Sequence, residues 1–211
     1  MLSSAQTLAF LLAAILLTLS PGPDNLMVLG MGISKGRRRG IAFGLGCALG
    51  CLSHTLLAVL GVSALVAASP LAFTALRWLG GAYLIWLGIQ ALRSRGGPLA
   101  AQGQPGRLGD ESLTRLFLKG LLANAINPKV VLFFLSFLPQ FVVPAQGALA
   151  LQLGLLGLIF TAQAAVLFGL LGYFAGAIGA WLSRRPAAGL WLDRIAGAVF
   201  VGLGLRLIAA R

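Results

Sequence analysis

Leu19-Ser20-Pro21-Gly22-Pro23-Asp24-Asn25 interrupts the apolar run from Leu8 to Ile33, and Asn124-Ala125-Ile126-Asn127-Pro128-Lys129 interrupts the run from Leu116 to Leu138. A proline inside a helix removes a backbone donor and its ring clashes with the preceding turn. In a bilayer no water takes over the lost bonds, so the peptide groups freed by such a break are tolerated only against protein or a solvated cavity. Two breaks at corresponding places in two halves of a chain are the sequence pointer to the substrate site of a secondary transporter.

Working outward, hydrophobic residues make up 59% of the 211 and charged residues 9%, and the mean hydropathy is +0.96. A soluble domain carries about 25% charged residues, so the chain is expected to sit in a lipid bilayer. A spanning helix needs roughly 20 mostly apolar residues. Six stretches qualify: Leu8 to Ile33, Ile41 to Val66, Leu71 to Leu92, Leu116 to Leu138, Leu149 to Ala180 and Leu190 to Ala209. The expected fold class is therefore all-α, a polytopic membrane protein of six transmembrane helices.

The net charge of +12 does not point to nucleic acid, because the basic residues cluster beside the apolar runs. Lys35, Arg37, Arg38 and Arg39 follow the first run; Arg93, Arg95, Arg107, Arg115 and Lys119 surround the loop after the third; Arg184, Arg185 and Arg194 flank the loop after the fifth. The segments around Ser69-Pro70 and from Pro139 to Gly147 carry no charge. Cytoplasmic loops hold the excess of Lys and Arg, which places the N-terminus outside. Arg206 and Arg211 run against this scheme, and snorkelling at helix ends accommodates them. Met1 to Phe10 lacks the basic start of a secretory signal, so the first span is expected to be retained.

The polar segment 93–115 divides the chain into residues 1–92 and 116–211, three spans each, and two three-span halves must lie in the membrane with opposite orientations. Gly81, Ala82, Leu87 and Gly88 recur without a gap as Gly197, Ala198, Leu203 and Gly204, and Pro23 answers Pro128. The expectation is a 3+3 inverted repeat. Small residues at four-residue spacing, Gly36, Gly40, Gly44 and Ala48, Gly46 and Gly50, or Gly172, Gly176 and Ala180, let helix backbones approach closely. They would serve a compact bundle or a homodimer interface.

Polar residues inside the apolar runs are the candidate site. Asp24 is the only acidic one at expected mid-membrane depth. It reads either as a proton acceptor or ammonium partner, or as a cap on the half-helix after Pro23. Lys129 mirrors it after Pro128, and either pairs with Asp24 or, with the half-helix amides, attracts an anion. Asn25, Asn124 and Asn127 stand at the same breaks, able to meet substrate or to satisfy the opened backbone. His54, the single histidine, is a candidate proton relay or a hydrogen-bonded packing group. Gln163 is its rough counterpart in the fifth span. Cys47 and Cys51 share one helix face and read as small buried side chains.

No Walker-type loop, metal-ligand cluster or nucleophile–base arrangement is legible, so no enzyme, cofactor or metal site is expected. Concentrative transport would then draw on an ion gradient or the solute's own gradient.

Leu19 to Leu26 in the first span, Asn127-Pro128-Lys129 with Phe133-Phe134 in the fourth, and Gly81-Ala82-Tyr83-Leu84 with Leu87-Gly88 in the third resemble the signature of the LysE/RhtB family of bacterial amino-acid exporters. The resemblance covers essentially the whole chain. It implies a multi-pass permease of the bacterial inner membrane that exports amino acids or close derivatives by proton antiport. From the breaks and the polar residues, the expected substrate site joins Pro21, Gly22, Pro23, Asp24 and Asn25 to Asn124, Asn127, Pro128, Lys129 and Gln163, with Asp24 and His54 as the candidates for proton coupling. One Asp against one Lys suits a zwitterion with a small neutral side chain. The competing classes are an exporter of another small solute or a metal cation, a thiol-redox membrane protein, and a non-transporting scaffold.

Overall fold

The computed structural model describes residues 2–62, 69–94, 111–143 and 147–209. Among these, all regular structure is helical. Helix α1 is Ser4–Leu19, α2 Pro23–Lys35, α3 Arg37–Leu57 running on into a π turn at Ala58–Val62, and α4 Pro70–Leu92. Helix α5 is Leu113–Ala125 and α6 Pro128–Leu132, which continues through a π-helical Phe133–Phe137 and a 3-10 turn at Leu138–Phe141. Helix α7 is Leu149–Arg184 and α8 Pro186–Ala209.

Four of these helices start on a proline, Pro23, Pro70, Pro128 and Pro186, where the missing N–H costs nothing and φ is already helical. The prolines of both breaks therefore begin second half-helices rather than kinking one continuous helix. The axes turn by 57° between α1 and α2 and by 51° between α5 and the α6 segment. Side-chain caps fix other starts: Ser3 and Gln6 form a reciprocal capping box on α1, Ser69 caps α4, Ser112 caps α5 and Asn127 caps α6. The 93–115 segment thus ends earlier than expected, because Ser112 opens α5 one residue later.

Three helical segments are long and apolar enough to cross a membrane alone, Arg37–Gly61, Leu71–Leu92 and Leu149–Arg184, and counting each bent pair as one span raises this to five. The sixth expected span lies within α8, which carries Asp193, Arg194 and Arg206 and does not meet that standard. The end of the expected second span at Val66, residues 95–110 of the polar segment and Arg211 lie outside the described residues. The 36 residues of α7, about 54 Å at 1.5 Å each, exceed the bilayer's hydrocarbon thickness.

Small residues decide which backbones meet. Helices α3 and α7 run antiparallel: a Cβ on Gly40 would lie 3.1 Å from the Gly172 carbonyl, and one on Gly44 would lie 2.9 Å from the Phe168 carbonyl. The Thr55 side chain packs against Gly157 further along the same pair. Helices α4 and α8 are also antiparallel, with Gly81 against Gly204 and Gly88 against Gly197. Gly46 and Gly50 admit α5, whereas Gly36 and Gly176 face nothing within 4 Å.

A cluster of phenylalanine rings, Phe10, Phe133, Phe134, Phe137, Phe141 and Phe160, fills the space between α1, α6 and α7. At that end Gln152 closes the bundle. Its amide oxygen accepts from Val143 N at 3.0 Å and Gln6 Nε2 at 3.2 Å, and its nitrogen donates to the Val143 and Gly147 carbonyls. The opposite end is basic. Arg37 lies over the Tyr173 ring at 4.6 Å, Glu111 takes Lys119 at 2.6 Å and Arg115 at 3.2 Å, and Ser94 donates to Asp193 at 2.6 Å.

Candidate functional site

The breaks free carbonyls that the interior must satisfy, and side chains do so one by one. Asn25 Nδ2 donates to Thr18 O at 2.7 Å within the first break. Lys129 Nζ reaches from α6 to donate to Ser20 O at 2.9 Å. In the second break, Asn127 Oδ1 accepts from Lys129 N at 3.1 Å, and Asn124 O takes Asn127 N at 2.8 Å and His54 Nε2 at 3.0 Å. A carbonyl only accepts, so His54 Nε2 is the donor in this contact.

Asp24 is 4% exposed and Lys129 7%, and no ion pair within 4 Å joins them. Asp24 does not cap α2, which has no side-chain cap. Its Oδ2 accepts from Asn124 Nδ2 at 2.7 Å, while its Oδ1, also buried, has no partner. Lys129 Nζ lies 5.0 Å from the centre of the Phe200 ring, and a Cβ on Gly22 would sit 3.1 Å from it. Glycine at position 22 thus leaves the ammonium its place beside the first break.

Asn124 is the hub. Besides Asp24 and His54 it meets the Cys51 thiol, which lies 3.6 Å from Asn124 Oδ1. The direct link from His54 to Asp24 runs through the covalent frame of Asn124. His54 also packs on Phe134, ring centres 5.7 Å apart.

These groups surround one cavity, lined by Leu17, Thr18, Gly22, Asp24, Asn25, Cys51, Asn124, Asn127, Lys129, Val130, Phe160 and Phe168. About 20 Å³ of it is open to the centre of a water, and one water needs about 10–15 Å³ by that measure. An amino acid does not fit that volume unless the surrounding groups move.

Of the residues singled out in sequence, Gly22, Asp24, Asn25, Asn124, Asn127 and Lys129 line the cavity. Pro21, Pro23 and Pro128 shape the breaks without lining it. Gln163 is not in the lining; its Nε2 bridges to Thr18 Oγ1 at 2.9 Å and its Oε1 is buried without a partner. Sequence reasoning missed Thr18, Ser20, Phe160, Phe168 and Phe200. The last three are apolar residues in apolar helices, and no local pattern marks them. Ser20 acts through its carbonyl, which every residue has.

The family model for the LysE type translocator matches residues 15–211. The chain belongs to that family. Relatives span nearly the full length of the chain. It is 36% identical over 205 residues to an uncharacterized membrane protein of Vibrio cholerae, covering 97% of each chain. To the homoserine/homoserine lactone efflux protein of Salmonella typhimurium it is 35% identical over 204 residues, covering 96% of each. To the threonine efflux protein of Escherichia coli K12 it is 31% identical over 193 residues, covering 92% of each. No solved structure matches the chain.

Proposed function

We propose that this chain exports amino acids with small, neutral side chains across the bacterial inner membrane in exchange for protons. The observation that carries the reading is the convergence of Asp24 and Lys129, from opposite halves of the sequence, on one cavity in which Asp24 Oδ1 has no partner. A buried acceptor without a donor is costly, and a substrate ammonium or a proton relieves it. The substrate carboxylate goes to Lys129 and to the N-terminus of α2, which has no side-chain cap and whose dipole favours an anion. One fixed charge of each sign suits a zwitterion. The efflux proteins named for homoserine and threonine among the relatives agree with that chemistry.

In this mechanism the amino acid enters from the cytoplasm, its ammonium on Asp24, and movement of one half against the other opens the site outward. A proton arriving at Asp24 from outside competes with the ammonium and releases the solute. His54 holds the Asn124 carbonyl, and Asn124 in turn orients Asp24. No bond of the solute is made or broken, and a single copy carries every group the cycle uses.

Two observations support the 3+3 inverted repeat as the frame for this cycle. The contacts Gly81 to Gly204 and Gly88 to Gly197 exchange with one another when Gly81 is matched to Gly197 and Gly88 to Gly204. The two breaks also bend by similar angles. The basic clusters at the end of the bundle away from Gln6 and Gln152 support an outside N-terminus.

The deciding experiment is efflux from proteoliposomes loaded with a panel of amino acids, with and without an imposed proton gradient. Gradient-stimulated efflux of small neutral amino acids is expected. Efflux that ignores the gradient removes the antiport, and no efflux of any amino acid removes the export.

A further inference from the structure

The cavity has two chemically distinct walls. One is polar and charged and accounts for the ammonium and carboxylate that all amino acids share. The other, made by Leu17, Val130, Phe160 and Phe168, is what remains to meet the variable side chain. Leu17 and Val130 sit beside the breaks, on the segments that carry Asn25's acceptor Thr18 and Lys129, so they move with the polar groups. The two phenylalanines belong to α7, eight residues apart on one face.

These two rings are held differently. Phe160 is locked among Phe133 and Phe134, ring centres 5.4 and 5.0 Å away, and belongs to the packed aromatic cluster. No ring stacks on Phe168 among the described residues, and it is 5% exposed. Its backbone has no freedom to retreat, because a Cβ on Gly44 of α3 would already lie 2.9 Å from the Phe168 carbonyl. A solute side chain entering the apolar wall therefore meets a ring whose anchor is fixed and whose removal leaves the aromatic cluster intact.

We infer that Phe168 is the specificity-determining residue that limits the length of the exported amino acid's side chain. The inference rests on the export reading. A hydrophobic wall discriminates by about 10–200-fold per methylene or so of misfit, so a ring in this place separates threonine from leucine without touching the groups that bind the zwitterion. Shortening it admits the larger solute while the smaller one keeps its carboxylate and ammonium contacts.

The test compares Phe168→Ala and Phe168→Leu with the unaltered chain in proteoliposomes loaded with threonine, leucine or phenylalanine, at equal reconstituted protein. The unaltered chain is expected to favour threonine. The leucine-to-threonine efflux ratio is expected to rise about tenfold or more in Phe168→Ala and by less in Phe168→Leu. An unmoved ratio in a variant that reconstitutes, or equal loss of all three fluxes in both, overturns the inference and leaves the export reading standing. If the alanine variant fails to fold, the leucine variant alone decides by the same ratio. An unaltered chain that moves leucine as fast as threonine also overturns it, whereas one that moves no amino acid overturns the export reading as well.

Discussion

Asn124 and Asp24 meet at 2.7 Å across the two breaks, so a neutral amide from the second half is the direct partner of the acid in the first. Lys129, the cation that sequence symmetry sets opposite Asp24, is instead occupied by Ser20 O and the Phe200 ring. The division leaves one carboxylate oxygen open to an incoming donor.

Asp24→Asn keeps the shape and the bond to Asn124 but removes the charge and the proton site. Efflux is expected to lose its response to an imposed proton gradient while the protein elutes unchanged from size-exclusion chromatography in detergent. An undiminished gradient response takes Asp24 out of the cycle.

Gly22→Ala separates function from stability. Gly22 has φ near −168°, which any residue adopts, so the substitution costs no backbone strain. The new methyl meets the end of the Lys129 side chain, 3.1 Å from Nζ and 3.4 Å from Cδ, a flexible group that yields cheaply. Stability should fall by less than about 1 kcal/mol, below the usual range for overpacking a rigid core, while efflux falls tenfold or more. Wild-type efflux would show that the position of the ammonium is immaterial.

Gly88→Ala should be the opposite case. Its Cβ would lie 2.7 Å from the Gly197 carbonyl and 2.9 Å from Val201 N, and backbone cannot swing aside. A loss of about 1–3 kcal/mol is expected, read as a lower melting temperature in detergent. Gly202→Ala, with nothing within 4 Å, is the matched control and should leave that temperature unchanged or raise it.

Cys51 is 1% exposed yet lines the cavity, which makes it a native reporter of opening. In a Cys47→Ser background, a small membrane-permeant maleimide should label Cys51 slowly at rest and faster during turnover. Labelling indifferent to substrate would place the transport path elsewhere.

Glu111, at the basic end and outside the spans, has its carboxyl held below its ordinary value of 4.5, first by the Lys119 hydrogen bond and then by the charges of Lys119, Arg115 and Lys35. A depressed folded-state pKa contributes stability above the unfolded value and loses it as pH falls through the lower folded one. Glu111→Gln should therefore melt lower than the unaltered chain at pH 7, and the gap should close on acidification below about pH 4.5. A gap that persists in acid would assign Glu111 a role other than its charge.

The breaks were legible because proline leaves a covalent mark on the backbone, and Asp24 and Lys129 because charge is rare in apolar runs. The glycine matches between residues 81–88 and 197–204 were legible as a pattern, and they turn out to be the α4 to α8 contact. Asn25 and Asn127 could be placed at the breaks but not assigned to them, since an amide serves backbone or solute equally well. The partner of Asp24 was not legible: nothing in the composition around Asn124 ranks it above Lys129, and only the path of α5 beside α3 brings it within reach. Nor was the π-helical run Phe133–Phe137, whose phenylalanines read as ordinary apolar helix.

The meagre void between Asp24 and Lys129 has a bioenergetic consequence. A chamber with room for about one water offers hydronium and sodium little wetted volume beside the two charges. An idle carrier of this design would leave the proton-motive force undrained, and would part the bundle only when the binding energy of a solute or of its exchanged proton makes good the lost contacts.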